Sequence, residues 1–526
     1  MKRKFFIILL LFISIISCAG ALSACGVTSG LRFSKIEDNS GTVVGYSVSK
    51  SFGYNPKTIS IPSKHLDKPV TKIERLAFSN CDRVENVYIP DSITEIDDDA
   101  FLGCKNIKNV YITDFTAWCN VSFGWSVSSP MYRGANLYLN NELITDLVIP
   151  DGVEVIRGKN FEGCGSITSV IIPESVKNIG GSAFNSCQNL KTVTLNSGLK
   201  SINNYAFWRC ERLQEVVIPE GVTGIGEGAF YGCKGLLSVT IPSSMETIQQ
   251  DAFKYCERLS VVYNYSNFNI VKGSSANGEV GKNAINVFTG KNEECKITET
   301  DDGYVFYSDS DKSYLVNYTG VSTEITLPLT SSVGQYEIGK YAFSERQITE
   351  VTIADGVTDI GAGAFEECES LKKVTLPDSV TKIGIFAFYK CKSLTEITIP
   401  YGVTVLNWGI FSHCENLKSI SIPSTVAYFG SDAFWGCTGI ETFEIPNGVT
   451  ALPDGIFGKC TNLKEVTIPD TVTEISDDAF KNCSIDSFIY EGTVNLWNSM
   501  YKDAHWNLNN EKYTVYCTDG EITVGI

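Results

Sequence analysis

The stretch VTGIGEGAFYGC, residues 222–233, reads two ways. Gly224, Gly226 and Ala229 fit G-x-G-x-x-A, the fingerprint of a dinucleotide-binding turn. The same letters also fit one coil of a repeat, and the cysteines decide between the two. Cys164, Cys187, Cys210, Cys233 and Cys256 lie 23 residues apart, as do Cys81 and Cys104, and as do Cys368, Cys391, Cys414, Cys437, Cys460 and Cys483. A fixed period of this length marks a solenoid. Around each cysteine one phrase returns, L-x-x-V-x-I-P-x-x-V-T-x-I-G-x-x-A-F-x-x-C. It is spelled LQEVVIPEGVTGIGEGAFYGC at 213–233 and LKKVTLPDSVTKIGIFAFYKC at 371–391. Gly226 and Ala229 are therefore repeat positions, shared with Gly180 and Ala183 and with Gly384 and Ala387. A nucleotide site needs a long helix and an acidic residue about twenty positions on, inside a βαβ unit. A coil of this length has no room for one. The glycine is expected to turn the chain and the alanine to pack close beneath the next coil.

Each coil has its own logic. Leu213, Val216 and Ile218 read as a short strand with its apolar side chains inward, ended by Pro219. Val222 and Ile225 supply a second extended piece, and Ala229 and Phe230 anchor a tight bend. So few apolar residues cannot fold alone, but stacking covers both faces of every coil. Strands of successive coils then align in parallel at ~4.8 Å, and each inward position becomes a column of like side chains. The fold class expected is a leucine-rich repeat solenoid with a parallel β-sheet, in two arrays with small β caps and insertions.

The phrase resembles that of the BspA-like leucine-rich repeat proteins of bacterial and some protozoan surfaces, over most of the chain. Three tracts outside the period also look like modules met in that family: residues 118–150, 261–270, and 488–500 with 516–520. The resemblance implies an adhesin or ligand-binding surface protein, some relatives being associated with host matrix proteins. Residues 25–56 resemble the family's N-terminal cap. A first array is expected over 57–263 with an insertion at 113–146. An irregular, Asn-, Ser-, Gly- and Asp-rich segment follows at 264–323, whose GYVFYSDSDKSYLVNYTG (303–320) reads as hairpin strands and a second β cap. A second array is expected over 324–488 and a C-terminal cap over 489–526, closing an apolar end that would otherwise aggregate. The second array opens with a coil that lacks its cysteine, carrying Glu345 and Arg346 instead.

Composition narrows the function. The 526 residues are 43% hydrophobic and 20% charged, which excludes a disordered tail. A formal net charge of −17 argues against nucleic acid or an anionic bilayer as the main partner. Lys2, Arg3 and Lys4 precede an apolar run at 5–16, in the manner of a signal peptide. The Leu22-Ser23-Ala24-Cys25 sequence that follows resembles a bacterial lipobox. Residues 1–24 are thus expected to be a lipoprotein signal and Cys25 the lipidated residue. Cys18 fits that pattern less well, and an ordinary cleaved signal or an uncleaved anchor is the alternative. The expected location is the bacterial envelope, surface-exposed, with membrane contact through the lipid alone.

Catalytic constellations are scarce. The three histidines, His65, His413 and His505, stand in unrelated contexts, and the chain has no G-x-S-x-G, H-E-x-x-H or P-loop phrase. Zinc knuckles need paired Cys-x-x-Cys, whereas these cysteines come singly. Carboxylates recur after the strand proline (Asp91, Asp151, Glu174, Glu220, Asp378, Asp470) at one turn position, and read as solvated turn residues rather than a catalytic pair. No enzyme, cofactor or metal is expected. Spacing leaves the cysteine column open to disulfides, but parallel Cβ vectors favour buried thiols acting as small hydrophobes. Cys119, Cys295 and Cys517 lie off the column.

Binding surface is where function is expected. The outward strand position reads Tyr88, Tyr111, Val148, Ile171, Thr194, Val217 and Thr240 in the first array. In the second it reads Thr352, Thr375, Thr398, Ser421, Glu444 and Thr467, a mostly hydroxyl ladder. Exposed Tyr and Ile in a row point to contact, either with a ligand or with the chain's own insertion. The insertion carries Trp118, Trp125, Tyr132 and Tyr138, which either cover that face or widen it. The rim after the Ala-Phe pair adds Trp208, Tyr231, Tyr389 and Trp435, for which partial packing between coils is the competing reading. The candidate ligand-binding residues are therefore Tyr88, Tyr111, Ile171, Trp208, Tyr231, Tyr389 and Trp435. The partner expected is a host or bacterial surface protein. A glycan stacked on the rim aromatics, and a structural spacer holding an envelope partner, are the rival readings. The first array is expected to hold the principal surface and the second to act more as a spacer.

Overall fold

A computed structural model describes residues 30–125, 127–289, 295–329, 334–510 and 512–525. The signal segment, Cys18 and the candidate lipid site Cys25 lie outside these residues. The chain groups into two units, residues 1–144 with 157–166, and residues 145–156 with 167–526.

The first unit begins with an antiparallel pair, Leu31–Glu37 against Val43–Lys50. The inner strand of that pair runs parallel to Lys68–Ile73, and Glu95–Ile96 and Ser122–Phe123 continue the sheet. A second sheet orders Thr58–Ser60, Asn86–Ile89, Asn109–Ile112 and Asn136–Leu139 in parallel. The stretch read as an insertion therefore does two things here. It forms a short helix, Phe115–Cys119, whose N-cap Asp114 accepts from the Ala117 N–H at 2.6 Å. It then adds a strand in register with the preceding coil. Trp118 is buried; its Nε1 donates to the Asn160 carbonyl at 2.9 Å, and Asn160 Nδ2 donates back to the Trp118 carbonyl at 2.8 Å.

The second unit stacks coils as the repeat demands. Asp146–Val148, Ser169–Ile171, Thr192–Thr194, Glu215–Val217, Ser238–Ile241 and Val261–Asn264 form one parallel ladder. Two-residue strands from Val155–Ile156 to Thr247–Ile248 form another. A third series of bonds ties each coil to the next at the bend, with Phe207 N–H donating to the Ala229 carbonyl and Phe230 N–H to that of Ala252, both at 2.8 Å. Leu213, Val216, Ile218, Val222, Ile225, Ala229 and Phe230 are all buried, so every inward residue of the phrase is a core residue. The phenylalanines stack in a column: Phe207 and Phe230 have ring centroids 5.4 Å apart and an interplanar angle of 1°. Residues 303–320 make a hairpin, Tyr304–Ser308 against Ser313–Tyr318, flanked by Lys296–Glu299. The hairpin's last strand pairs in parallel with Glu337–Ile338, and coils resume through Glu474–Ile475. Val494–Ser499 and the antiparallel pair Tyr513–Cys517 and Gly520–Val524 lie at the far end.

One expectation is corrected. Gly226 does not turn the chain: it lies outside the left-handed region, and a Cβ on it would stand 2.5 Å from the Asn204 backbone nitrogen. A Cβ on Gly384 would stand 2.4 Å from the Ala362 nitrogen. The glycine is there because backbones of adjacent coils approach closely. The turning residues flank the Ala-Phe pair, at Gly228 (φ 56) and Gly232 (φ 70). Their counterparts are mostly not glycine, for example Tyr205 (φ 58) with Arg209 (φ 55), and Phe386 (φ 55) with Lys390 (φ 55). Each such residue costs roughly 1–2 kcal/mol, offset by burial of the Ala, Phe and Cys between and beside them.

The cysteine column consists of buried thiols, with no disulfide among the described residues. The structure supplies the reason for cysteine. Cys233 Sγ donates to the Phe207 carbonyl at 3.2 Å, Cys256 to that of Phe230 at 3.2 Å and Cys414 to that of Phe388 at 3.1 Å. A small apolar side chain with a weak donor meets a buried acceptor and fills the corner. Burial pushes the Cys368 and Cys483 thiols up to about 12, so they stay protonated and unreactive at neutral pH. Of the off-column cysteines, Cys119 is buried and Cys295 and Cys517 are half-buried.

Candidate binding surfaces

In the first unit, Tyr88 and Tyr111 fall on one outward column because Asn86–Ile89 and Asn109–Ile112 pair in register. Tyr138, from the stretch read as an insertion, pairs with Tyr111 and extends the column. The three rings stack, with centroids 4.3 Å and then 4.7 Å apart and interplanar angles of 8° and 25°. Tyr88 is 38% exposed. The insertion thus widens this face at Tyr138, while Trp118 is core and Trp125 and Tyr132 are exposed. Sequence reasoning left Tyr138 out of the candidate set because the period breaks just before it.

Ile171 belongs to the second unit, on the column Val148, Ile171, Thr194. Val148, Ile171 and Val217 are all exposed there. The rim aromatics of the same unit gather in two groups. Trp208 stacks on Tyr231 with centroids 5.8 Å apart, Tyr255 meets Tyr231 edge-on at 5.1 Å, and the Arg209 guanidinium sits 5.1 Å from the Trp208 ring. Tyr389 and Trp435 line a second recess with Phe386, Trp408, His413 and Asp432. Between the groups the rim position holds Ser344 and Glu366.

That gap contains the charged joint of the unit. Arg258 is buried, and its guanidinium donates to the carbonyls of Tyr341 at 2.9 Å, Ser344 at 2.8 Å and Lys234 at 3.2 Å. Beside it a recess of about 370 Å³ collects Glu257, Glu345, Glu366 and Glu367, with Lys234 paired to Glu345. Burial, then the neighbouring Glu257 and Glu367 carboxylates, raise Glu366 to about 7. A carboxyl raised above its unfolded value holds its proton longer in the folded state, so stability from this group is full below the unfolded pKa and is lost as pH rises through about 7. The urea midpoint is therefore expected to fall between pH 5 and pH 8, and Glu366→Gln to flatten that slope. An equal slope in Glu366→Gln would assign the dependence to other groups.

Among the described residues, no group of three or more His, Cys, Asp or Glu stands where it could hold a metal ion. None of their helices is long and apolar enough to cross a membrane.

Parallel ladders of one strand per 23-residue coil, with columns of leucine, isoleucine, phenylalanine and cysteine facing inward, define a leucine-rich repeat solenoid. The model of the BspA type leucine-rich repeat region matches residues 49–125, 133–260, 336–438 and 381–505, in six copies. The chain belongs to this family. Among solved structures it is similar to a leucine-rich repeat protein from Bacteroides ovatus ATCC 8483 (18% identity, 93% of this chain and 99% of that one, TM-score 0.32). It is also similar to a leucine-rich cell surface protein from Faecalibacterium prausnitzii A2-165 (23%, 92% and 100%, TM-score 0.32). A third such structure is the pneumococcal vaccine antigen PcpA (17%, 92% and 98%, TM-score 0.32). No curated protein sequence matches the chain.

Proposed function

We propose that the protein is a cell-surface binding protein that takes a protein ligand on the tyrosine column of its first unit and performs no catalysis. The observation that carries this reading is the stack of Tyr88, Tyr111 and Tyr138. Three aligned phenol rings on the outward face of a sheet cost solubility and contribute nothing to the core. They offer a partner rigid amphipathic area with few rotamers to freeze, the property that enriches tyrosine at interfaces. The aliphatic column at Val148 and Ile171 is a further apolar surface of the same kind. The half-buried rim pair Trp208 and Tyr231 supplies edge contacts. An array of host and bacterial surface proteins probed with the whole chain tests the reading. Retention on protein spots that is competed by soluble ligand is expected, and retention on none of them removes it.

Display at the envelope rests on the Lys-Arg-Lys, apolar run and Leu-Ser-Ala-Cys order of the N-terminus. In this reading Cys25 carries the lipid, and Cys25→Ala moves the protein from the detergent phase to the aqueous phase. Full retention in detergent with palmitate labelling intact would contradict it.

A further inference from the structure

The rim of the second array carries a recess that the repeat phrase does not require. It has a volume of about 450 Å³. It spans the coils holding Phe386 and Tyr389, Trp408 and His413, Asp432 and Trp435, and Asp454. Its shape follows from substitutions within the phrase. The coil after Trp435 has Gly455, at a position that is glycine in other coils too (Gly228, Gly363, Gly409), and Gly458, where the other regular coils carry serine or a larger residue. A Cβ on Gly458 would stand 2.1 Å from Trp435 Cζ3, and one on Gly455 would stand 3.0 Å from Cε3. The indole thus occupies the space that a side chain at 458 would fill, and the Asp432 carboxylate, with the indole edge behind it, that of a side chain at 455. Gly409 does the same for Phe386, whose ring would meet a Cβ there at 2.2 Å. These glycines clear the rim so that the rings lie down along it.

Around the rings stand hydrogen-bonding groups. Trp408 is half exposed, and its Nε1 donates to Asp432 Oδ2 at 3.2 Å, which holds that carboxylate beside the indole. Asp454 is exposed at its edge, while Asp478 is engaged by Lys481 at 2.7 Å. Burial lowers the pKa of His413, so at neutral pH it offers a neutral imidazole with one donor and one acceptor. Flat aromatic surface with carboxylates at its margin suits a ligand that has an apolar C–H face and a ring of hydroxyls. Tyr389 and Trp435 lie two coils apart, about 10 Å, on the scale of two linked pyranose rings.

We infer that this recess, built on Tyr389, Trp408, Asp432, Trp435 and Asp454, binds a neutral oligosaccharide. Sugar C–H faces rest on the half-exposed Trp408 and against Trp435, and hydroxyls donate to Asp432 and Asp454. Two other ligand classes fit less well. Anionic glycans meet the carboxylates of Asp432 and Asp454, while Lys390 and Lys481 are already paired to Glu367 and Asp478. A quaternary ammonium wants an enclosing cage free of other cations, yet Lys390 stands 4.9 Å from the Tyr389 ring and Lys459 stands 5.4 Å from that of Trp435. The site is independent of the tyrosine column and of its protein ligand.

Calorimetric titration of the whole chain with cellotetraose, chitotetraose, a heparin tetrasaccharide and choline chloride tests the inference. Either neutral tetrasaccharide is expected to bind and to shift tryptophan emission. Trp435→Ala should weaken that binding about tenfold or more, and Trp435→Phe should restore most of it. Asp454→Asn, at an exposed residue, should weaken it with an unchanged melting temperature. Tyr111→Ser should leave it as in the wild type, which separates this site from the protein-binding one. The inference is overturned if neither neutral sugar binds, if Trp435→Ala and Asp454→Asn both bind as the wild type, or if heparin or choline binds at these residues instead.

Discussion

Arg258→Ala is expected to lower the unfolding free energy by about 3–5 kcal/mol, the largest single-residue effect outside the phenylalanine column. The side chain is buried, and its three hydrogen bonds tie the last coils of the first array to Tyr341 and Ser344 of the coil where the second resumes. Burial pulls the guanidinium down to about 10, so it remains a cation at neutral pH. Truncation leaves the Lys234 and Ser344 carbonyls without a donor and the Tyr341 carbonyl with only the Ser344 N–H, at a site where water enters poorly. Stability in a solenoid is a sum of coil terms and nearest-neighbour terms, so loss of one joint separates the coils on either side. Urea unfolding of Arg258→Ala should show a lower midpoint and a smaller m-value, as one transition splits towards two. Arg212 provides the control, since it holds the same repeat position yet is exposed. Arg212→Ala should change stability by less than about 0.5 kcal/mol. Equal effects in the two variants would contradict the account of the joint.

That pair of arginines shows why part of the structure was not legible in the sequence. Both stand two residues after the column cysteine, and nothing in their coils distinguishes them. What differs is the neighbour. Arg212 has another regular coil above it, whereas Arg258 meets a segment that returns after an interruption of the period. Inward positions were legible because a period of 23 imposes one environment on each of them, and the burial of Leu213, Val216, Ile218 and Phe230 follows. The bend was misread because glycine suggested a left-handed turn at Gly226. The turns are instead made by residues such as Tyr205 and Phe386, which adopt that conformation because a fully buried Ala-Phe pair holds them there. The rim recess escaped for a related reason. Trp408, Asp432 and Asp454 sit in three different coils at two different repeat positions, so they meet only once the coils are stacked.

The second large effect concerns the tyrosine column. Each ring buried by a partner contributes on the order of 1–2 kcal/mol, so Tyr111→Ser should weaken binding by roughly tenfold or more. Tyr111 stands at the centre of the stack, with Tyr88 on one side and Tyr138 on the other. Its removal also frees both neighbours to reorient, and its effect should exceed that of Tyr88→Ser. Outward positions on this sheet touch solvent, so the melting temperature should move little in either variant. Replacing Tyr111 with Phe keeps the ring and should keep most of the affinity; if it does not, the hydroxyl rather than the stacked face is what the partner reads.

The central claim is that this solenoid works by binding a protein through that column. The most direct test is a side-by-side measurement of the whole chain and the Tyr88→Ser, Tyr111→Ser, Tyr138→Ser triple variant on one array of surface proteins and glycans. The expected result is loss of the protein signals by at least about a hundredfold in affinity, with the neutral-glycan signals and the melting temperature unchanged. Protein binding that persists undiminished in the triple variant would contradict the claim.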